Sequence, residues 1–230
     1  LNLSHNWLEQ VDERIFRFNA EYISKMLELD LSANRIGSVA PHALDNLVSL
    51  IRLDLSGNRL VELGNETFKK SPLLLRLDLA RNQMRDVASG LFGYLAFLEH
   101  LNLSGNWLEC VRPNTFAGLI SLVELDLSCN ALKFVDAAGF SDMALTLENL
   151  YLNSNPLLQL PGPLTKTLVA VKKIVLPRAG FVADVANLKS AKESVRVLLL
   201  KSNYYSSSYF RSVGFVEIAE NKSYGPVEEK

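Results

Sequence analysis

The chain has 230 residues, 48% hydrophobic and 21% charged, with a formal net charge of −1. That apolar content excludes a disordered chain, and the balanced charge excludes a global field drawing it to nucleic acid or an acidic membrane. No apolar run approaches the roughly 18 residues of a membrane span, and the two cysteines are too few for a disulfide framework.

The first element is a short strand in LNLSHNWL, from Leu1. The same spelling, L-x-L-x-x-N-x-L, returns as LDLSANRI from Leu29, LDLSGNRL from Leu53, LDLARNQM from Leu77, LNLSGNWL from Leu101, LDLSCNAL from Leu125 and LYLNSNPL from Leu150. Two weaker copies follow, IVLPRAGF from Ile174 and LLLKSNYY from Leu198. After a first step of 28 residues, every later step is 24 or 25. The chain begins inside this motif, so both ends are expected to be boundaries within a longer protein. The extra length of the first step falls at AEYISK, residues 20–25, which is expected to bulge as a loop.

Within each copy, alternate residues of a strand point to opposite faces, so Leu53 and Leu55 face one way and Asp54 and Ser56 the other. An apolar residue three positions before each strand leucine (Leu50, Leu74, Leu98) faces the same interior. The chain then turns at an Asn: Asn6, Asn34, Asn58, Asn82, Asn106, Asn130, Asn155 and Asn203. A turn leaves backbone groups that no sheet satisfies, and an inward amide offers two donors and an acceptor. These asparagines are expected to stack as a ladder. The return half carries a second apolar column (Val11, Val39, Leu63, Val87, Val111, Val135, Leu160) and then Phe16, Leu44, Phe68, Phe92, Phe116 and Phe140. That column fails at Thr165, so the last units are expected to pack differently. No unit can bury its leucines alone; stacked neighbours can.

This spelling resembles the leucine-rich repeat family over roughly residues 1–205, with residues 206–230 a tail or the start of an incomplete repeat. The 24-residue step with Phe in the return half is similar to the extracellular subclass found in Toll-type ectodomains, chaoptin-like adhesion proteins and secreted immune repeat proteins. The resemblance implies an α/β, β-rich solenoid: a horseshoe with a parallel concave sheet of about nine strands and an irregular or short-helical convex side. It also implies a protein ligand or co-receptor.

The concave face reads in columns. The central one is Asn2, Asp30, Asp54, Asp78, Asn102, Asp126, Tyr151, Val175 and Leu199, with Arg52, Arg76, His100, Glu124 and Lys173 in the column before it. Asp30, Asp54, Asp78 and Asp126 form an acidic stripe that either docks a basic partner or is simply the repeat's spelling. Tyr151, Lys173, Val175, Val197, Leu199, Lys201 and Tyr204 form an apolar and basic patch, a candidate protein contact unless a tail covers it. Trp7 and Trp107, each one residue after a ladder Asn, pack on the adjacent repeat or serve as rim anchors.

Four Asn-x-Ser/Thr triplets stand at Asn2, Asn65, Asn102 and Asn221. They are glycan acceptors only in a secretory protein, and Asn65, in a convex loop, is the foremost candidate. Cys110 and Cys129 occupy places too far apart for a disulfide; Cys129 is expected to be a buried, inert thiol or an exposed one open to intermolecular pairing. The three histidines, His5, His42 and His100, lack metal-ligand spacing, and no nucleophile, phosphate-loop or paired-cysteine signature occurs. The reading is a non-enzymatic recognition module without metal or cofactor, extracellular, or alternatively a cytoplasmic scaffold or inhibitor. Its exposed strand edge invites self-association.

Overall fold

The computed structural model describes residues 1–16, 20–158, 160–161, 164–177, 196–199 and 216–217. In chain order the strands are β1 (Gln10–Val11), β2 (Glu28–Asp30), β3 (Ser38–Val39), β4 (Arg52–Asp54), β5 (Arg76–Asp78), β6 (His100–Asn102), β7 (Cys110–Val111), β8 (Glu124–Asp126), β9 (Phe134–Val135), β10 (Asn149–Tyr151), β11 (Lys173–Leu176), β12 (Arg196–Leu199) and β13 (Val216–Glu217). Helical structure is limited to α1 (Ala20–Ile23), α2 (Leu164–Thr167) and a 3₁₀ segment, η1 (Ala137–Met143). Nine strands form one sheet in the order β13-β12-β11-β10-β8-β6-β5-β4-β2, every pair of them parallel. Two small parallel pairs, β1 with β3 and β7 with β9, lie on the return half. This is a parallel solenoid with very little helix.

The core follows from the alternation. Leu29, Leu53, Leu77, Leu101, Leu125, Leu150 and Ile174 pair in register and are buried, as are the leucines two residues later. Phe16, Leu44, Phe68, Phe92, Phe116 and Phe140 close the interior from the convex side. Phe92 and Phe116 stack with ring centroids 6.2 Å apart, and Phe140 meets Phe116 at a tilt, 5.7 Å apart. Beyond Phe140 the aromatic column ends, and Leu164 and Leu168 are buried at the next turn instead.

Each buried Asn joins two turns. Asn58 Nδ2 donates to Leu55 O of its own turn and to Leu31 O of the preceding one, both at 3.0 Å; its Oδ1 accepts from Ile36 N at 3.0 Å. Asn34, Asn82, Asn106, Asn130 and Asn155 repeat the pattern and are buried. Asn6 differs: it is exposed and bonds only its own turn, at Leu3 O and Ser4 O. Asn203 lies outside the described residues.

Three expectations are corrected. Residues 20–25 contain a helical turn, α1, in place of a plain loop. The segment at Leu1 contributes a single bridge, Asn2 to Asp30, instead of a full strand; the ninth strand is β13. The register also slips at β12. Val197 stands opposite Ile174 and Leu198 opposite Val175, so Leu198 holds the place in the concave column that the sequence gives to Leu199. A one-residue shift exchanges the two faces of a strand. Val197 and Leu199 therefore occupy register positions of the interior column, beside Ile174 and Leu176.

The residue before each ladder Asn was not singled out by spelling. His5, Ala33, Gly57, Arg81, Gly105, Cys129 and Ser154 all have φ between +51 and +66. From His5 to Cys129 their N–H groups donate to the following turn, as Gly57 N does to Ala80 O at 2.8 Å. Only glycine adopts this backbone without strain.

Candidate partner-binding face

The aspartates of the concave stripe begin as turn caps. Asp54 Oδ1 accepts from Ser56 N at 2.9 Å, Asp78 Oδ1 from Ala80 N at 2.9 Å and Asp126 Oδ1 from Ser128 N at 2.8 Å. Asp30 accepts both the backbone N–H and the hydroxyl of Ser32. A carboxylate two residues before an N–H closes an Asx turn, which is why the repeat keeps Asp there. The second carboxylate oxygen faces the groove, so the residues cap and charge the face at once.

Asn102 takes the Asp place in β6. Its Oδ1 accepts from Ser104 N and Oγ at 3.0 and 2.7 Å, as Asp30 does from Ser32; its Nδ2 donates to Asp78 Oδ2 at 3.2 Å. Asn2 makes the same bond to Asp30 Oδ2 at 3.1 Å. Substituting an amide within the stripe converts a carboxylate–carboxylate contact into a hydrogen bond. Asp30 and Asp78, which both accept such an amide, nevertheless shift in opposite directions. Burial pushes the Asp78 carboxyl above its ordinary range, and the Asp54 charge adds to it, outweighing the bonds from Ala80 and Asn102. Burial also acts upward on Asp30, but hydrogen bonds from Ser32 and Ser4 and the Arg52 charge outweigh it and hold that carboxyl low.

Beside the stripe, Arg52, Arg76, His100 and Glu124 align in register. With Asp78 and Asp126 they line an open hollow of about 220 Å³. Both signs of charge and a histidine converge in it, on a rigid sheet. Further along, Lys173 Nζ lies 4.7 Å from the Tyr151 ring centroid and 3.4 Å from its hydroxyl. Val175 is buried, with only 6% of its surface exposed. It is a short side chain between the register positions of Tyr151 and Leu198. Of the patch expected from sequence, Val175 is thus buried and Tyr151 and Lys173 are half-buried; the side chains of Val197 and Leu199, and Lys201 and Tyr204 altogether, lie outside what is described.

The tryptophans lie at the rim against the turn of an adjacent repeat, and neither is buried there. Trp7 and Trp107 are exposed, and each carries an arginine on its ring: Arg35 at 4.2 Å and Arg85 at 5.5 Å from the centroid. Cys110 and Cys129 are both free thiols, Cys110 half-buried and Cys129 exposed. Asn65 is exposed at a convex turn, whereas Asn2 and Asn102 face the groove; Asn221 lies outside the described residues. Among the described residues no helix is long and apolar enough to cross a membrane, and no cluster of His, Cys, Asp and Glu suits a metal ion.

The Leucine rich repeat family model matches residues 1–60, 51–108 and 106–157. Toll in the Drosophila Toll–Spatzle complex superposes with a TM-score of 0.73 at 23% identity, over 86% of this chain and 26% of that one. The leucine-rich repeat domain of APL1 gives 0.70 at 21% identity, over 92% and 52%. The TLR13–ssRNA13 complex gives 0.62 at 25% identity, over 93% and 39%. The chain thus spans between about a quarter and a half of the solved chains it resembles. No curated protein matches it in sequence. In repeat spelling and in architecture alike, the chain belongs to the leucine-rich repeat family.

Proposed function

We propose that this chain is a non-enzymatic protein-recognition segment of a larger extracellular adhesion or innate immune protein, and that its partner, a protein ligand or co-receptor, docks on the concave face around Arg52, Arg76 and His100. The observation that carries this reading is the mixed-charge hollow on a rigid parallel sheet. Arginine is enriched among the residues that dominate interface energetics. The structural likeness to Toll and TLR13 supports an ectodomain setting. The acidic stripe and the Tyr151–Lys173 pair extend the same face. Residues 1–205 would form the solenoid, with 206–230 continuing it as a tail or incomplete repeat, to which β13 belongs.

The test is capture of extracellular proteins on the immobilised chain, compared with Arg52→Glu/Arg76→Glu. A partner retained by the parent and lost by the variant, at unchanged melting temperature, supports the reading. An identical capture profile contradicts it. Secretion offers a second check: Asn65 would carry a glycan, removed by Asn65→Gln. The two free thiols favour a second reading, a cytoplasmic scaffold or inhibitor, to which a chain secreted with its Asn65 glycan would be an obstacle.

A further inference from the structure

Each turn re-enters the sheet through a short bend just before the buried column Leu50, Leu74, Leu98, Leu122, Leu147 and Val171. In each of these six bends one residue is a large apolar side chain left in solvent. Val48 is 43% exposed, Leu73 48%, Phe97 57%, Ile120 56%, Leu145 77% and Val169 46%. The backbone ladder just beyond the bends is unbroken, from Leu75 N to Ile51 O at 2.8 Å through Glu148 N to Val123 O at 2.8 Å. Successive bends therefore stand about 4.8 Å apart at the ladder, and the six side chains, each at one of two adjacent bend positions, follow one another along one flank.

We propose that this stripe is the docking face for a second copy of the chain, antiparallel, about a two-fold axis between Phe97 and Ile120. The order Val, Leu, Phe, Ile, Leu, Val reads nearly the same in both directions. The rotation sets Val48 against the other copy's Val169, Leu73 against its Leu145 and Phe97 against its Ile120. A row of one side chain per repeat meets an equal pitch only on another such row, and a two-fold interface must be self-complementary. The charges beside the stripe obey the same rotation. Lys70, three residues before Leu73, is exposed, and so is Asp142, three residues before Leu145. Lys166, exposed, stands beside Val169, and Asp45, partly buried and bonded to His42 at 3.1 Å, stands beside Val48. Opposite signs meet in both cases.

The area is sufficient. Six such side chains at these exposures present on the order of 600 Å², the upper end for a monomer's largest apolar patch and near the roughly 800 Å² per partner of a stable interface. None of the six lines the concave hollow, so the dimer leaves that face open.

The experiment is sedimentation of the full chain from about 1 to 100 μM, the range in which a micromolar Kd appears. The parent is expected to shift from monomer to dimer, and Phe97→Asp/Ile120→Asp to remain monomeric with an unchanged circular-dichroism melt. A parent that stays monomeric overturns the proposal. So does a variant that still dimerises, since that association would run through the strand edge. Arrangement is read by cross-linking in a Cys110→Ser/Cys129→Ser background. A mixture of Leu73→Cys and Leu145→Cys chains is expected to cross-link, and neither chain alone. Leu73→Cys linking to itself would overturn the antiparallel arrangement.

Discussion

Asn82 shows what one buried amide does. It bonds Leu55 O, Leu79 O and Ala80 O and accepts from Leu60 N. Replacing it with Ala leaves the buried Leu60 N–H without a partner, so Asn82→Ala is expected to cost about 2–4 kcal/mol in urea unfolding. Asn6→Ala, which breaks only bonds at an exposed turn, is expected to cost under about 1 kcal/mol. The spelling L-x-L-x-x-N made the ladder legible, because only an inward amide serves both turns. It did not make the stripe's second role legible, since Asp caps a turn and charges a groove with the same letters. Asn102→Asp separates the two roles. The new carboxylate still caps Ser104 but loses the bond to Asp78 and adds charge between Asp78 and Asp126. Asp78 already has a raised folded pKa, so its ionisation opposes folding, and the penalty grows as pH rises through the carboxylate range. The variant is expected to be about 1–2 kcal/mol less stable near pH 7, the deficit shrinking as pH falls through that range. Equal deficits at both ends of a pH series would contradict this.

At the scale of the element, strand positions were legible from period-two leucines, and the interior columns from their fixed offsets. The register slip at β12 was not, because VLLL at 197–200 offers no polar residue to fix which of them pairs with Ile174. The bends were equally silent: the apolar member alternates between two adjacent positions (Val48 against Leu73), so no fixed offset marks it. Turn geometry also escaped spelling. The positive-φ place before the ladder Asn accepts Gly, Ala, Arg, Cys, His and Ser in this chain, so composition hides it. Two glycines make the consequence measurable. At Gly57 a Cβ would stand 3.5 Å from Ala33, an ordinary contact, so Gly57→Ala should lose only about 1 kcal/mol to backbone strain. At Gly118, with φ +94, a Cβ would stand 2.7 Å from Gly93 Cα and 2.9 Å from Phe92 O, both backbone. Thermal denaturation should therefore rank Gly118→Ala well below Gly57→Ala; equal melting temperatures would refute the close packing of those turns.

Over the whole molecule, each turn has neighbours on which its core depends, and stability belongs to the stack. The same stacking yields surfaces of different kinds: a concave sheet of mixed charge and a flank with one apolar residue per turn. Fold was legible because burial dictates the leucines; a partner was not, because the exposed columns are free of that demand. The central claim is that inward amides join successive turns into one body. Hydrogen exchange at Ile36, Leu60, Met84, Leu108 and Leu132, whose N–H groups donate to Asn58, Asn82, Asn106, Asn130 and Asn155, tests it most directly. All five amides are expected to exchange together, orders of magnitude more slowly than the exposed turn amides. Exchange of these amides at the rate of an unprotected chain would contradict it.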